Sequence, residues 1–319
     1  MNYKQKGLQA AGLFAAIATS MALVIPTVNS QTKTIKIDGS STVYPITEAV
    51  AEEYQIANRG ATQVTVGISG TGGGFKKFCS NDASVRTDIS NASRPIKDKE
   101  KALCAEAGIE YMEIPVAYDA IAVVVNKDNP VNSITTEQLK QIWGPEADGK
   151  VKVWGQVNPL WGTTELELYG PGADSGTFDY FTKKINGESG ASRADYTPSE
   201  DDNVLVQGVV GDKGAMGYFG LSYYFENQDK LKALAIDSGN GPVAPTPKTV
   251  IDGTYTPLSR PIFIYVNKAS LDKPEVAEFV EFYLENAEEL VPETGSVPLP
   301  ANGSGLSYQS SMEVLQSSL

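Results

Sequence analysis

The sequence contains no histidine, only two cysteines, and far fewer basic than acidic residues. The absence of histidine excludes Ser-His-Asp and Cys-His catalysis and histidine-ligated metals. The 26 Lys and Arg residues stand against 39 Asp and Glu, a net charge of −13. Nucleic-acid binders usually carry a basic patch, so this balance argues against a nucleic-acid partner. The net negative charge also repels an anionic ligand at long range, so hydrogen-bond donors within the binding site must hold such a ligand.

Long apolar runs are missing too, except near the N-terminus. Lys4 and Lys6 precede an apolar stretch from Leu8 to Ile25, and Val28 and Ser30 suit a cleavage site after Ser30. This pattern predicts that residues 1–30 are a signal peptide and that the protein is exported to the periplasm or the extracellular space. The alternative is a transmembrane anchor, which the Gly, Ser, Thr and Pro residues in the stretch disfavour. We expect no membrane span in the mature chain.

The two cysteines, Cys79 and Cys104, lie 25 positions apart. Because the N-terminus indicates an oxidising compartment, we predict one disulfide between them. Two unrelated buried thiols are the alternative.

Strand and helix patterns alternate along the rest of the chain. Ile35 and Ile37 alternate as in a strand, Pro45 suits a first helical turn, and Ala120–Val125 is an apolar run typical of a buried strand. An apolar stripe at helical spacing follows later, formed by Val276, Phe279, Val280, Tyr283 and Leu284. With 319 residues, the chain is predicted to form two α/β domains with mostly parallel sheets flanked by helices. Residues 237–261 and the C-terminal tail are expected to be loops.

Three predicted strand-to-helix junctions combine glycine with Ser or Thr. The junctions are Gly39-Ser40-Ser41-Thr42, Ser69-Gly70-Thr71-Gly72-Gly73-Gly74 and Asp174-Ser175-Gly176-Thr177. The first turn of a helix leaves N–H groups unpaired and carries partial positive charge, so such junctions can bind anions. Each can equally be an ordinary helix N-cap. The segment "DISNASRPI" adds Ser93 and Arg94, and arginine is well suited to a tetrahedral oxyanion. The dinucleotide, Walker A and nucleophile-elbow motifs are absent.

Together these segments resemble the PstS-type periplasmic phosphate-binding proteins of the ABC phosphate transporter. The resemblance covers the mature chain through "DGSSTVYPI", "SGTGGGFKKFC", "DISNASRPI", "YDAIAVVVN", "YGPGADSGTF", "GYFGLSYY" and "RPIFIYV". It implies a type II periplasmic-binding-protein fold, with two domains joined by the crossover strands "AIAVVVN" and "RPIFIYV". Residues 31–124 plus 261–319 would form domain 1 and residues 125–260 domain 2, with phosphate in the cleft.

The resemblance also implies a set of phosphate-binding residues. They are Ser40, Ser41, Thr42, Ser69, Thr71, Ser93, Ser175, Gly176 and Thr177, to which we add Arg94 on its chemistry. Many relatives carry an arginine shortly before the Ser-Gly-Thr triplet, where this chain has Gly170-Pro171-Gly172, and we expect Arg94 to replace it. Many also carry an aspartate at the position of Ser93, which accepts the proton of the phosphate dianion. Here Asp174, Asp119 and Asp88 are the candidates for that acceptor.

The resulting prediction is a solute-binding protein that captures inorganic phosphate and delivers it to the permease subunits of an ABC transporter. We expect no catalysis, no cofactor, no metal and a monomer. The alternatives are a binding protein for another oxyanion such as sulfate or molybdate, an exported enzyme such as a phosphatase, and a sensor or surface adhesin that keeps the binding fold without a transport role.

Overall fold

The computed structural model describes residues 33–173, 175–199, 201–303 and 305–319, so the predicted signal peptide lies outside the described residues. The strands are Lys33–Gly39 (β1), Thr62–Ile68 (β2), Ile89–Ala92 (β3), Tyr111–Asn126 (β4), Ser133–Thr135 (β5), Glu167–Pro171 (β6), Thr197–Ser199 (β7), Ala215–Gly220 (β8), Leu231–Ala233 (β9), Ala235–Asp237 (β10), Pro242–Val243 (β11), Ser259–Asn267 (β12) and Val297–Pro298 (β13). The α-helices are Tyr44–Ala57 (α1), Gly70–Phe78 (α2), Asp98–Glu106 (α3), Thr136–Trp143 (α4), Gly176–Phe181 (α5), Asp202–Gly211 (α6), Leu221–Glu226 (α7), Pro247–Ile251 (α8), Pro274–Glu293 (α9) and Tyr308–Gln316 (α10). A π-helical segment, Thr182–Asn186, follows α5 directly.

The strands build a large sheet in the order β2-β1-β3-β12-β4-β8-β6-β7, with β9 and β13 also paired to β4. A small sheet has the order β11-β10-β5. β1 is parallel to β2 and β3, and β6 is parallel to β7 and β8. The predicted α/β class is therefore confirmed. However, β4 and β12 are antiparallel to their neighbours in the middle, so the large sheet is mixed rather than mostly parallel.

The long strand β4 belongs to both parts of the large sheet. Its first part, from Tyr111 to Ala120, pairs with β12, and its last part pairs with β8 and β9. All its residues except Tyr111 and Glu113 are buried. Residues covered on both faces of a sheet need apolar side chains, which is why the Ala120–Val125 run was recognisable as a strand. The strand begins earlier than that run indicates.

The helices cover the sheet with the apolar faces that the sequence predicted. Pro45 lies in the first turn of α1, where the missing N–H costs nothing. The predicted stripe on α9 is buried throughout, and burying such side chains contributes about 1.5–3 kcal/mol each. Tyr54 of α1 meets Phe279 of α9 edge to face, with ring centroids 5.3 Å apart. Among the helices of the described residues, none has both the length and the apolar content to cross a bilayer.

Two segments predicted as loops contain regular structure. Residues 237–261 include β11 and α8, because Thr246 caps α8 by accepting from the Thr249 N–H while Val250 is buried. The tail ends in α10, whose cap Ser307 accepts from the Ser310 N–H. Both caps are of the Ser/Thr type that favours helix initiation. Their helices are short, so the Gly and Pro content around them obscured the helical pattern.

The predicted disulfide is present between Cys79, which follows α2, and Cys104 within α3. Both cysteines are almost fully buried in a small apolar cluster with Phe75, Phe78 and Tyr265. The disulfide therefore joins α2 to α3, the helices that precede and follow β3 in the chain.

Replacing both cysteines with alanine should lower the free energy of unfolding by about 3 kcal/mol. A cross-link between positions 25 apart restricts the unfolded chain by about this amount in the chain-entropy model. Urea unfolding of the Cys79→Ala/Cys104→Ala variant measures the difference, with the unchanged protein under a reducing agent as the control. Coincident unfolding curves for the variant and the oxidised protein would contradict the expected cross-link.

Candidate functional site

A cavity of about 740 Å³ opens at the edge of the large sheet where β1, β2 and β3 end. Neighbouring parallel strands end at the same edge, and ligands of open α/β sheets bind there. The cavity is lined by Ser40, Ser41, Thr42, Gly70, Thr71, Ser93, Arg94, Pro95, Lys97, Gly176, Asp179, Tyr180, Lys183, Lys184, Glu188, Ser189, Arg260 and Pro261. Most of the residues predicted from the sequence are among them. The exceptions are Ser69, Ser175 and Thr177.

The first junction turns sharply between β1 and α1. The Ser40 N–H donates to the Asn91 carbonyl oxygen at 3.0 Å, and the Ser40 hydroxyl accepts from the Thr42 N–H at 3.2 Å. Ser40 itself is buried. This turn directs Ser41 and Thr42 into the cavity.

The second junction and the segment after β3 meet through their hydroxyl groups. The hydroxyl oxygens of Thr71 and Ser93 lie 3.2 Å apart, and the Ser93 N–H donates to the Thr71 hydroxyl at 3.2 Å. The Ser69 hydroxyl instead donates to Asp38, which also pairs with Lys77 at 2.5 Å. Thr71 and Ser93 are thus presented to the cavity, while Ser69 holds the end of β1.

The third junction reaches the same cavity from the other part of the sheet, after β6. Gly176 lies so close to the first junction that a methyl group in its place would be 2.6 Å from Thr42 Oγ1 and 3.1 Å from Ser41 Oγ. The Ser175 hydroxyl caps α5 by accepting from the Thr177 N–H at 3.2 Å. Segments distant in sequence are therefore in contact at the cavity.

Arg94 lines the cavity and forms a bidentate ion pair with Glu100. Its two terminal nitrogens donate to the two carboxylate oxygens at 2.8 Å each, and Nη1 also donates to the Pro95 carbonyl at 3.1 Å. Burial raises the pKa of Glu100, but the hydrogen bonds from Arg94 and the Lys97 N–H outweigh it and hold this pKa below its usual range. Glu100 is therefore ionised at neutral pH, and the charge of Arg94 is compensated.

Arg260 is a second arginine in the cavity, and sequence reasoning missed it. It lies directly opposite Asp119 in the β4–β12 pairing. Its Nε and Nη2 donate to Asp119 Oδ2 at 3.1 and 3.0 Å, and Nη2 is also 3.4 Å from Thr42 Oγ1. Its guanidinium carbon is 3.8 Å from the centre of the Tyr180 ring, a cation–π stack. Among the hydrogen bonds of the described residues none uses Nη1 of Arg260, so this nitrogen can donate to a ligand.

The strand pairing explains why Arg260 reaches the site. β12 is antiparallel to β3, with Phe263 opposite Ala92. The start of β12 therefore lies at the edge where β3 ends. The available signal was the one buried charged residue of β4, Asp119, and the one charged residue of β12, Arg260.

The three aspartates considered as proton acceptors have different positions. Asp88 precedes β3 at the opposite edge of the sheet, where it accepts from Ser270 Oγ and Lys273 Nζ at 2.7 Å each. This is a structural role, and Asp88 does not line the cavity. Asp119 orients Arg260. Asp174 lies outside the described residues.

The site combines several neutral hydroxyl donors with two arginines whose charges are compensated by buried carboxylates. Planar guanidinium groups and hydroxyls are the donors that suit a small tetrahedral oxyanion. Because most of the donors are neutral, the arrangement does not depend on a strongly basic surface.

Comparison with known proteins extends over most of the chain. Residues 26–287 match the PBP superfamily domain. The chain is 53% identical over 288 residues to Protein SphX of Synechococcus elongatus, covering 90% of this chain and 83% of that protein. It is 43% identical over 269 residues to the phosphate-binding protein PstS of Staphylococcus saprophyticus, covering 83% and 80%. The crystal structure of a possible phosphate binding protein from Planctomyces limnophilus is similar at a TM-score of 0.81 and 46% identity, covering 90% of this chain and 99% of that one.

Proposed function

Because the chain belongs to the PBP superfamily and, within it, to the PstS family of phosphate-binding proteins, we propose that it binds inorganic phosphate in the cavity described above. It then delivers the ion to the permease subunits of an ABC transporter. The observation that carries the proposal is that the hydroxyls of Ser41, Thr42, Thr71 and Ser93 share one cavity with Arg260. Relatives that are named for phosphate binding support it.

The proposed binding cycle uses two domains, residues 31–124 with 261–319 and residues 125–260, joined through β4 and β12. Phosphate enters between the two domains. It contacts the junctions after β1 and β2 and the segment after β3 from one side, and the start of α5 from the other. The contact between Gly176 and Thr42 supports a closed arrangement. A ligand that contacts both sides favours the closed state by those added contacts.

Local hydrogen bonds are proposed to hold the dianion against the net charge of −13. A hydrogen bond to a charged group contributes about 1.5–3 kcal/mol, so a few hydroxyl donors and Arg260 suffice for tight binding. The protein acts by binding and release without chemical conversion, as an exported monomer. Hydrolysis of a phosphate ester by the purified protein would contradict this part of the proposal.

Competition between anions tests the choice of ligand. Purified protein is equilibrated with radiolabelled phosphate, and sulfate, molybdate and arsenate are added in turn. We expect phosphate itself to displace the label at the lowest concentration and sulfate to displace it poorly. Equal displacement by sulfate would overturn the phosphate assignment in favour of a general oxyanion-binding protein.

A matched pair of variants locates the binding in the cavity. Thr42→Val keeps the side-chain shape but removes a hydroxyl that lines the cavity, and should weaken phosphate binding about tenfold. Thr197→Val makes the same change on exposed residue Thr197 of β7 and should leave binding unchanged. Equal affinities in the two variants would place the ligand elsewhere.

A further inference from the structure

The rim of the cavity carries lysines from both sides. Lys97 comes from the segment before α3, and Lys183 and Lys184 come from the π-helical segment after α5. All three are exposed. None of them forms a salt bridge with another described residue, and Lys183 Nζ donates to the Gly187 carbonyl at 3.1 Å. We call these three residues the lysine rim.

The charge at the cavity opening differs in sign from the charge of the whole chain. The two arginines that line the cavity are paired with Glu100 and Asp119. Among the described residues, the other charged groups that line the cavity are the three lysines of the rim and two carboxylates, Asp179 and Glu188, so their net charge is +1. The chain as a whole carries −13. The described residues at the cavity opening therefore carry a small net positive charge, whereas the chain as a whole is negative.

We propose that the lysine rim collects phosphate dianions and guides them into the cavity. The inference rests on the proposed function and concerns the rate of binding. Clefts lined by charge opposite to the ligand raise association rates by about 10–10³-fold, and salt suppresses the effect. The lysines act on the incoming ion and do not contact the bound one, so they change association and leave dissociation unaltered. The lysine rim thereby offsets, at the cavity opening, the repulsion between the acidic chain and the phosphate dianion.

Stopped-flow measurement of phosphate binding tests the proposal with two triple variants of equal charge change. The rim variant is Lys97→Gln/Lys183→Gln/Lys184→Gln. The control variant, Lys150→Gln/Lys230→Gln/Lys248→Gln, changes exposed lysines that do not line the cavity. At low ionic strength we expect the rim variant to bind about tenfold more slowly than the control variant. At 1 M salt, where the Debye length is about 3 Å, the difference should disappear.

Replacement of the three rim lysines with arginine keeps the charge and should restore the association rate. The proposal is overturned if both triple variants are slowed equally, because net charge then accounts for the effect. It is also overturned if the rim variant loses affinity through faster dissociation, because the lysines then contact the bound ion. Equilibrium titration of the unchanged protein with phosphate distinguishes failure of the proposed function from failure of the proposed role of the lysine rim. A protein that does not bind phosphate at all contradicts the proposed function itself.

Discussion

Replacing Arg260 with glutamine should reduce phosphate affinity more than a hundredfold. The substitution removes a charged donor worth up to about 3 kcal/mol. It also leaves the carboxylate of Asp119, which is buried and 3.0 Å from Arg260 Nη2, without its counter-charge beside an anionic ligand. Isothermal titration with phosphate measures the affinity, and circular dichroism checks that the variant is folded.

Two further variants distinguish the sources of this loss. Arg260→Gln/Asp119→Asn removes both charges and should recover part of the affinity, because the repulsion by Asp119 is gone. Arg94→Gln should cost only about tenfold, because Arg94 binds Glu100 through both terminal nitrogens, whereas Arg260 keeps its whole Nη1 amino group for a ligand. A folded Arg260→Gln variant with unchanged affinity, or a larger loss in Arg94→Gln, would refute Arg260 as the main cationic donor.

Replacing Gly39 with alanine should destabilise the fold by roughly 2–6 kcal/mol, as conformational strain and overpacking add together. Gly39 ends β1 with φ +146°, and an added methyl group would lie 2.2 Å from the Asn91 carbonyl oxygen. The neighbouring strand cannot retreat, because the Ser40 N–H donates to that same oxygen. Chemical denaturation measures the free energy of unfolding.

Gly60→Ala is the matched control for this substitution. Gly60 also has a positive φ, of +73°, but an added methyl group would have no neighbour within 4 Å. It should therefore show only the backbone cost, about 1–2 kcal/mol. If Gly39→Ala costs no more than Gly60→Ala, the close approach of β1 and β3 is not what requires a glycine at this position.

The strand-to-helix junctions were predictable because their signals are local. The predicted junctions after β1, β2 and β6 all occur, and each carries the expected hydroxyl residues. The exact start of α2 was less predictable, because its glycine run disfavours a helix. Gly74 faces Gly39 so closely that an added methyl group would lie 2.6 Å from Gly39 Cα. Packing between α2 and β1 therefore overrides the low helix propensity.

The cationic part of the site depends on pairing between residues that are distant in the sequence. The sequence pointed to Arg94, which lies beside the predicted serine, and the structure shows that Glu100 binds its terminal nitrogens. Arg260 is 141 positions from Asp119 and gains its place only through the β4–β12 register. No periodicity or short motif records such a register.

The sequence by itself determined the α/β class, the hydroxyl-rich junctions, the disulfide and the family resemblance. Each of these depends on short segments of sequence within one helix, strand or junction, or on a rare residue such as cysteine. Only the tertiary structure decided which carboxylate pairs with each arginine, where the lysines of the rim lie, and how closely Gly176 approaches Thr42. The physical reason is that charge compensation and contact act through space, and the sheet brings together residues that the chain keeps far apart.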